Sequence, residues 1–142
     1  MNEKSAATPI EAGQQTITGG VAPYLNLDGA IKAADFYVRA FGAEDVARIP
    51  PDDKGRSMHC HVRINGGSVM ISDFYPEHGH PFAVPQAFTL HLQVEDFDAW
   101  WNRATAAGAQ VVQAPHDAFW GDRYGVLKDP FGVSWTIGMH PK

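Results

Sequence analysis

The segment "YLNLDGAIKAADFYVRAFGAEDV", residues 24–46, decides the fold because it has a partner later in the chain: "HLQVEDFDAWWNRATAAGAQVV", residues 91–112. Each opens with an alternation that puts two aliphatic side chains on one strand face, Leu25 with Leu27 and Leu92 with Val94. Acidic residues follow, Asp28 in the first and Glu95 and Asp96 in the second, where a carboxylate can accept the free N–H groups of a helix start. An apolar stripe at helical spacing comes next: Ile31, Ala34, Val38 and Phe41, then Phe97, Trp101, Ala104 and Ala107. Both stripes stop at a Gly-Ala pair, Gly42-Ala43 and Gly108-Ala109, and glycine readily takes the positive φ found just past a helix end.

The likeness continues beyond the helices. Short strand patterns at 44–49 and 109–114 precede two hairpins. The first, "SMHCHVRINGGSVMISDF", turns at Asn65-Gly66-Gly67, and the second, "RYGVLKDPFGVSWTI", turns at Asp129-Pro130-Phe131-Gly132. Each half reads β-α-β-β-β, and the Pro- and Gly-rich "YPEHGHPFAVPQ" (75–86) joins them. The expected organisation is a flexible polar tail over 1–18 and a single domain over 19–142, with modules at about 20–74 and 87–138.

Bulk properties narrow the function. A hydrophobic content of 44% supports a packed core, and a net charge of −5 argues against nucleic acid or an anionic membrane as partner. No apolar run approaches the ~18 residues of a transmembrane helix. Cys60 is the lone cysteine and cannot form an internal disulfide, so a reducing cytoplasmic location is expected.

Strand alternation assigns two faces. Val21, Pro23, Leu25, Leu27, Met58, Cys60, Val62, Ile64, Val69, Ile71, Leu90, Leu92, Val94, Val133, Trp135 and Ile137 are expected on the helix-covered side. Ala22, Tyr24, Asn26, His59, His61, Arg63, Met70, Ser72, Phe74, Thr89, His91, Gln93, Ser134 and Thr136 are expected on the other.

The segments "YLNLDGAIKAADFYVRAFGAE", "INGGSVMISD" and "WGDRYGVLKDPFGVSW" resemble the vicinal oxygen chelate superfamily, which includes glyoxalase I, bleomycin-resistance proteins and extradiol dioxygenases. The closer likeness is to its PhnB-like branch, also labelled after a demethylubiquinone methyltransferase, and it covers about residues 20–138. No glycine-rich nucleotide loop follows a strand, so the methyltransferase label has no support in the residues. The resemblance implies an α+β fold of two βαβββ modules forming a curved, mostly antiparallel sheet. Helices would cover the convex face, a small molecule would sit in the concave one, and the protein would be a homodimer.

Metal-using members of that superfamily place one ligand on each of four strands. Carried over through the helix and "DPFG" landmarks, those positions fall at Ala22, Ser72, Thr89 and Thr136. Alanine has no donor atom and neutral hydroxyls are poor divalent-metal ligands, so no metal and no cofactor are expected there. The expected ligand-binding residues are Tyr24, Asn26, His61, Met70, Ser72, His91, Gln93, Trp120, Tyr124 and Thr136. The alternative is a lyase-, isomerase- or dioxygenase-type enzyme using His59, His61 and His91 as metal ligands or acid/base groups. His78, His80 and His116 are expected in solvent-facing loops, and Asp122 and Arg123 are expected to pair with each other. No catalytic residue can be named, and whether the protein is an enzyme stays open.

Overall fold

In each module the first strand runs parallel to the last, so the helix between them acts as a crossover that brings the chain back to the same sheet. The computed structural model describes residues 16–142, and residues 1–15 of the expected tail over 1–18 lie outside them. The described elements are β1 (Tyr24–Asn26), α1 (Ala30–Phe41), β2 (Glu44–Arg48), β3 (Cys60–Ile64), β4 (Gly67–Ser72), β5 (Leu90–Gln93), α2 (Phe97–Ala107), β6 (Gln110–Asp117), β7 (Arg123–Lys128) and β8 (Ser134–Met139). A 3-10 turn, Pro76–His78, sits in the join between modules. They make an α+β fold with two four-stranded mixed sheets, ordered β1-β4-β3-β2 and β5-β8-β7-β6.

The chain divides into two compact units, the first including Gly42–Ala83 and the second including Val84–Lys142. In the first, α1 starts without a side-chain cap of its own. Asp28 does not serve. Asp73, from the end of β4, accepts Gly29 N–H at 2.7 Å, Ala30 N–H at 3.1 Å and Ser57 N–H at 2.8 Å. One buried carboxylate thus satisfies the helix start and ties down the segment before β3. The buried stripe of α1 is Ala30, Ala33, Ala34, Phe36, Tyr37, Ala40 and Phe41, with Ile31 and Val38 only flanking it. The centre moved because four alanines allow close approach there. Asn65 and Gly66, with φ of 51° and 85°, form the tight turn between β3 and β4.

Two expected core residues are exposed: Val21 at 98% and Met58 at 54%. Both precede the strands they were assigned to, so the alternation does not yet hold there. Thr16 and Thr18 lie within the expected tail, yet Thr18 exchanges bonds with Ser68 (2.9 and 2.8 Å) and the Thr16 carbonyl accepts from Arg63.

In the second unit, Asp96 caps α2 as expected, accepting Ala99 N–H at 3.1 Å. Phe97, Trp101 and Ala104 are buried, while Trp100 lies under the Arg103 guanidinium at 4.6 Å. Trp101 seats on the sheet at Gly125, where a Cβ would come within 2.5 Å of its ring. At the second hairpin, Asp129 accepts Phe131 N–H, Val133 N–H and the Trp135 indole N–H at 2.8, 3.0 and 2.9 Å. The "DPFG" turn is therefore locked to the core strand that follows it.

Candidate functional site

Strand register shows how the two modules correspond. Tyr24 lies opposite Met70 and His61 opposite Met70 in the first sheet, while His91 lies opposite Thr136 and Val126 opposite Thr136 in the second. Met70, not Ser72, is thus the counterpart of Thr136, a shift of two residues from the sequence reading. The apolar pair before each position looked alike, but pairing with neighbouring strands decides equivalence. A thioether is a soft donor, so the substitution of Met70 for Ser72 does not make the four-strand set any better suited to a hard divalent ion.

The face of the second sheet away from Trp101 carries a continuous hydrogen-bonded chain. Asp122 is a carboxylate and only accepts, so the Gln93 amide nitrogen must point to it, at 3.3 Å. The Gln93 carbonyl oxygen is thereby directed at His91 Nε2, 2.7 Å away, which must donate. His91 Nδ1 faces Thr136 Oγ1 at 2.6 Å and, in the neutral ring, accepts its proton. Both imidazole nitrogens are committed. Gly138 makes room for this arrangement, since a Cβ there would lie 2.8 Å from the His91 ring and 3.0 Å from Gln93 Oε1.

Asp122 also meets His140 Nδ1 at 2.8 Å, and this contact, with help from Gln93 and the Trp120 side chain, holds its carboxyl below the usual range. Asp122 does not pair with Arg123. Asp122 lies just before β7, and Arg123, the first residue of that strand, instead reaches Asp117 at 3.6 Å and the Phe97 ring at 5.8 Å. His140 was not anticipated, although it continues the 134, 136, 138 alternation.

Aromatic rings extend the same face. His91 stacks on Tyr124 (6.2 Å between centroids), Trp120 meets Tyr124 edge-on at 5.1 Å, and Phe119 meets Trp120 at 4.9 Å. His116 also packs against Tyr124, at 5.9 Å, and belongs to β6 rather than to a loop. Phe119 is 98% exposed and Trp120 52%, an uncovered apolar edge. Of the expected ligand-binding residues, the structure brings His91, Gln93, Trp120, Tyr124 and Thr136 together here, with Thr136 itself buried beneath His91.

The other five lie in the first unit. Tyr24, Asn26 and Ser72 line a cleft of about 350 Å³ with Met58, Asp73, Tyr75, His78 and His80. Tyr24 Oη bonds His59 Nδ1 at 2.9 Å, and burial pushes the phenol up and the imidazole down. Met70 is buried. His61 is fully buried, with Nε2 on Ser68 Oγ at 2.8 Å and Nδ1 without a partner, and burial pushes its pKa down. Among the described residues, no group of three or more His, Cys, Asp or Glu side chains could hold a metal ion. His59 and His61 each bond a hydroxyl, and His91 is held by Gln93 and Thr136.

A second cavity, of about 620 Å³, opens on the second sheet beside Pro85, Gln86, Ala87, Phe88, Thr89, Gln110, Val112, Lys128, Gly132 and Ser134. Pro85 and Gln86 end the join and Ala87, Phe88 and Thr89 lead from it into β5, a stretch whose irregular backbone gives no periodic signal.

With the fold and these faces described, the chain is assigned by comparison: residues 25–137 match the Glyoxalase/Bleomycin resistance protein/Dioxygenase superfamily, and the protein belongs to it. It is 45% identical to an uncharacterized protein of Mycobacterium bovis over 125 residues, covering 84% of this chain and 82% of that one. Among solved structures it is similar to TioX from Micromonospora sp. ML1 (29% identity, 87% of this chain and 100% of that one, TM-score 0.69). It is similar also to TnmS3, an antibiotic binding protein from Streptomyces sp. CB03234 (25% identity, 89% and 99%, TM-score 0.65). The PhnB protein from Bacillus cereus shares the fold at 22% identity, 85% and 99% coverage and a TM-score of 0.67. Among the described residues, no helix is long and apolar enough to cross a membrane.

Proposed function

We propose that this protein binds a small aromatic molecule on the helix-free face of its second sheet, without a metal at the four strand positions that metal-using relatives employ. The observation that carries the reading is His91, whose two nitrogens are occupied by Gln93 and Thr136 while its ring stacks on Tyr124, which Trp120 meets edge-on. A residue so held presents a flat surface and a fixed dipole rather than a lone pair. Ligand pockets commonly combine an apolar wall with a few fixed polar groups, and Tyr124, Trp120, His91 and Gln93 supply that combination. The similarity to TnmS3, described as an antibiotic binding protein, supports sequestration over turnover. The first-unit cleft, with Tyr24, Asn26 and Ser72, is the second surface on which ligand contacts are proposed.

The protein is further proposed to act as a cytoplasmic homodimer without nucleic-acid or membrane partners. The reduced, buried Cys60, the net charge of −5 and the exposed Phe119 and Val111 support this. Light scattering gives the oligomeric state.

The test is titration of tag-free, chelator-treated protein with N-phenyl-1-naphthylamine, a neutral aromatic reporter, followed by competition with a library of aromatic small molecules. Saturable binding weakened about tenfold by Trp120→Ala supports the reading, since an aromatic contact contributes about 0.5–1.5 kcal/mol beyond its buried area. Stoichiometric zinc, iron, manganese or nickel that His59, His61 or His91 substitutions remove would support the enzymatic alternative instead.

A further inference from the structure

The correspondence between modules exposes a difference in charge. In the first sheet, Glu44 lies opposite Arg63, and Arg63 lies opposite Ser68. The Glu44 carboxylate neutralises the Arg63 guanidinium at 3.1 Å. The equivalent row in the second sheet is Gln110 opposite Lys128, and Lys128 opposite Ser134. A neutral amide stands where the first module has its acid. Lys128 has no ion pair among the described residues, and no carboxylate belongs to the cavity's lining.

The same row continues to Thr89, whose hydroxyl donates to Ser134 Oγ at 3.5 Å and leaves the Ser134 proton without an acceptor among the described residues. Residues directly opposite in neighbouring strands hold their Cβ atoms about 5 Å apart on one face. Gln110, Lys128 and Ser134 therefore present an amide, an ammonium and a hydroxyl side by side. Phe88 and Val112, both substantially exposed, supply an apolar surface in the same cavity of about 620 Å³. The loop that brings Phe88 there is shaped by Ala87, a non-glycine residue at φ 69°, and by Pro85 packed 3.6 Å from the Cβ position of Gly132.

We infer that this cavity is a binding site for an amphipathic aryl carboxylate, with the acid on Lys128 and Ser134 and the ring against Phe88 and Val112. A chain of net charge −5 repels anions in general, so a cation row free of acids is a local exception that selects for them. The site does not depend on the aromatic wall of Trp120 and Tyr124, which stands or falls separately.

The experiment compares 2-naphthoate with its neutral isostere 2-naphthamide by calorimetric titration of the full chain. The acid is expected to bind about tenfold more tightly, the scale of a charge-assisted hydrogen bond lost or made. Lys128→Met should abolish the preference and Lys128→Arg should keep it. Gln110→Glu, which rebuilds the first module's neutralised pair, should abolish it without touching the cation. Phe88→Ala should weaken both compounds alike, and Trp120→Ala should leave the preference intact. Equal affinities in the unsubstituted protein, no saturable binding of the acid, or a preference that survives both Lys128→Met and Gln110→Glu would overturn the inference. Near-ultraviolet circular dichroism of each variant confirms that the fold is retained.

Discussion

Gln93 turns its side-chain carbonyl oxygen to His91 Nε2 at 2.7 Å, and the Asp122 carboxylate behind it permits no other orientation of the amide. His91 Nε2 is accordingly a donor, and in the neutral ring this is the Nε2–H tautomer, with Nδ1 taking the Thr136 proton. Nitrogen-detected NMR of labelled protein near neutral pH should report that tautomer, and added Zn²⁺ should leave its signals in place. Gln93→Leu frees Nε2, so the same zinc addition should then perturb His91.

Asp73 accepts three backbone N–H groups from two separate segments. Asp73→Ala leaves all three without this partner, two of them buried, and should cost about 2–4 kcal/mol. Urea unfolding measures it. Asp73→Asn, which keeps an acceptor oxygen, should recover part of the loss.

Gly125 is the floor on which Trp101 rests. Gly125→Ala puts a methyl group inside the ring's contact distance and should destabilise by about 1–3 kcal/mol. Pairing it with Trp101→Phe should relieve part of that penalty, because the smaller ring gives way. Denaturant melts of the two single variants and the double variant test the coupling.

His59 and His61 both hold protons more weakly when folded than their ordinary 6.5, because burial penalises the cation. The unfolded chain therefore binds more protons through this window. Stability is fully present above about pH 6.5 and declines as pH falls toward the folded values. Unfolding at pH 7.5 and at pH 5.5 should show the decline, and His61→Gln, which can still bond Ser68, should make it shallower.

Asp122 runs in the same direction at lower pH, from a different cause. His140, first among its neighbours, holds the carboxyl below 3.8, so the contribution is present above that pH and is lost as pH falls through the folded value. His140→Ala should move the Asp122 titration, read by carboxyl carbon NMR, back toward the ordinary range.

Much of this architecture was legible in the chain because the two βαβββ modules repeat one pattern of strand, capped helix and Gly-Ala stop. Asp96 capped its own helix as read, while Asp28 did not, because the acceptor came from Asp73, distant in sequence. Alternation does put His91, Gln93 and Thr136 on one face, and Tyr124 joins them there. Alternation gave no guide at Asp122, which lies just before β7 and turns to Gln93 and His140 rather than to Arg123. It was silent on register, so the counterpart of Thr136 was placed at Ser72, two residues past Met70. It was silent as well over residues 85–88, where a non-periodic loop shapes the larger cavity.

The central claim is that an aromatic molecule binds the Trp120–Tyr124–His91 face without metal. Its most direct test is heteronuclear NMR of chelator-treated protein during titration with N-phenyl-1-naphthylamine, repeated with Zn²⁺, Mn²⁺, Fe²⁺ or Ni²⁺ present. The account predicts shifts at the Trp120 indole, Tyr124 and His91 and the same affinity in every sample. Binding that leaves those three signals unmoved, or that occurs only once a metal is restored, would contradict it.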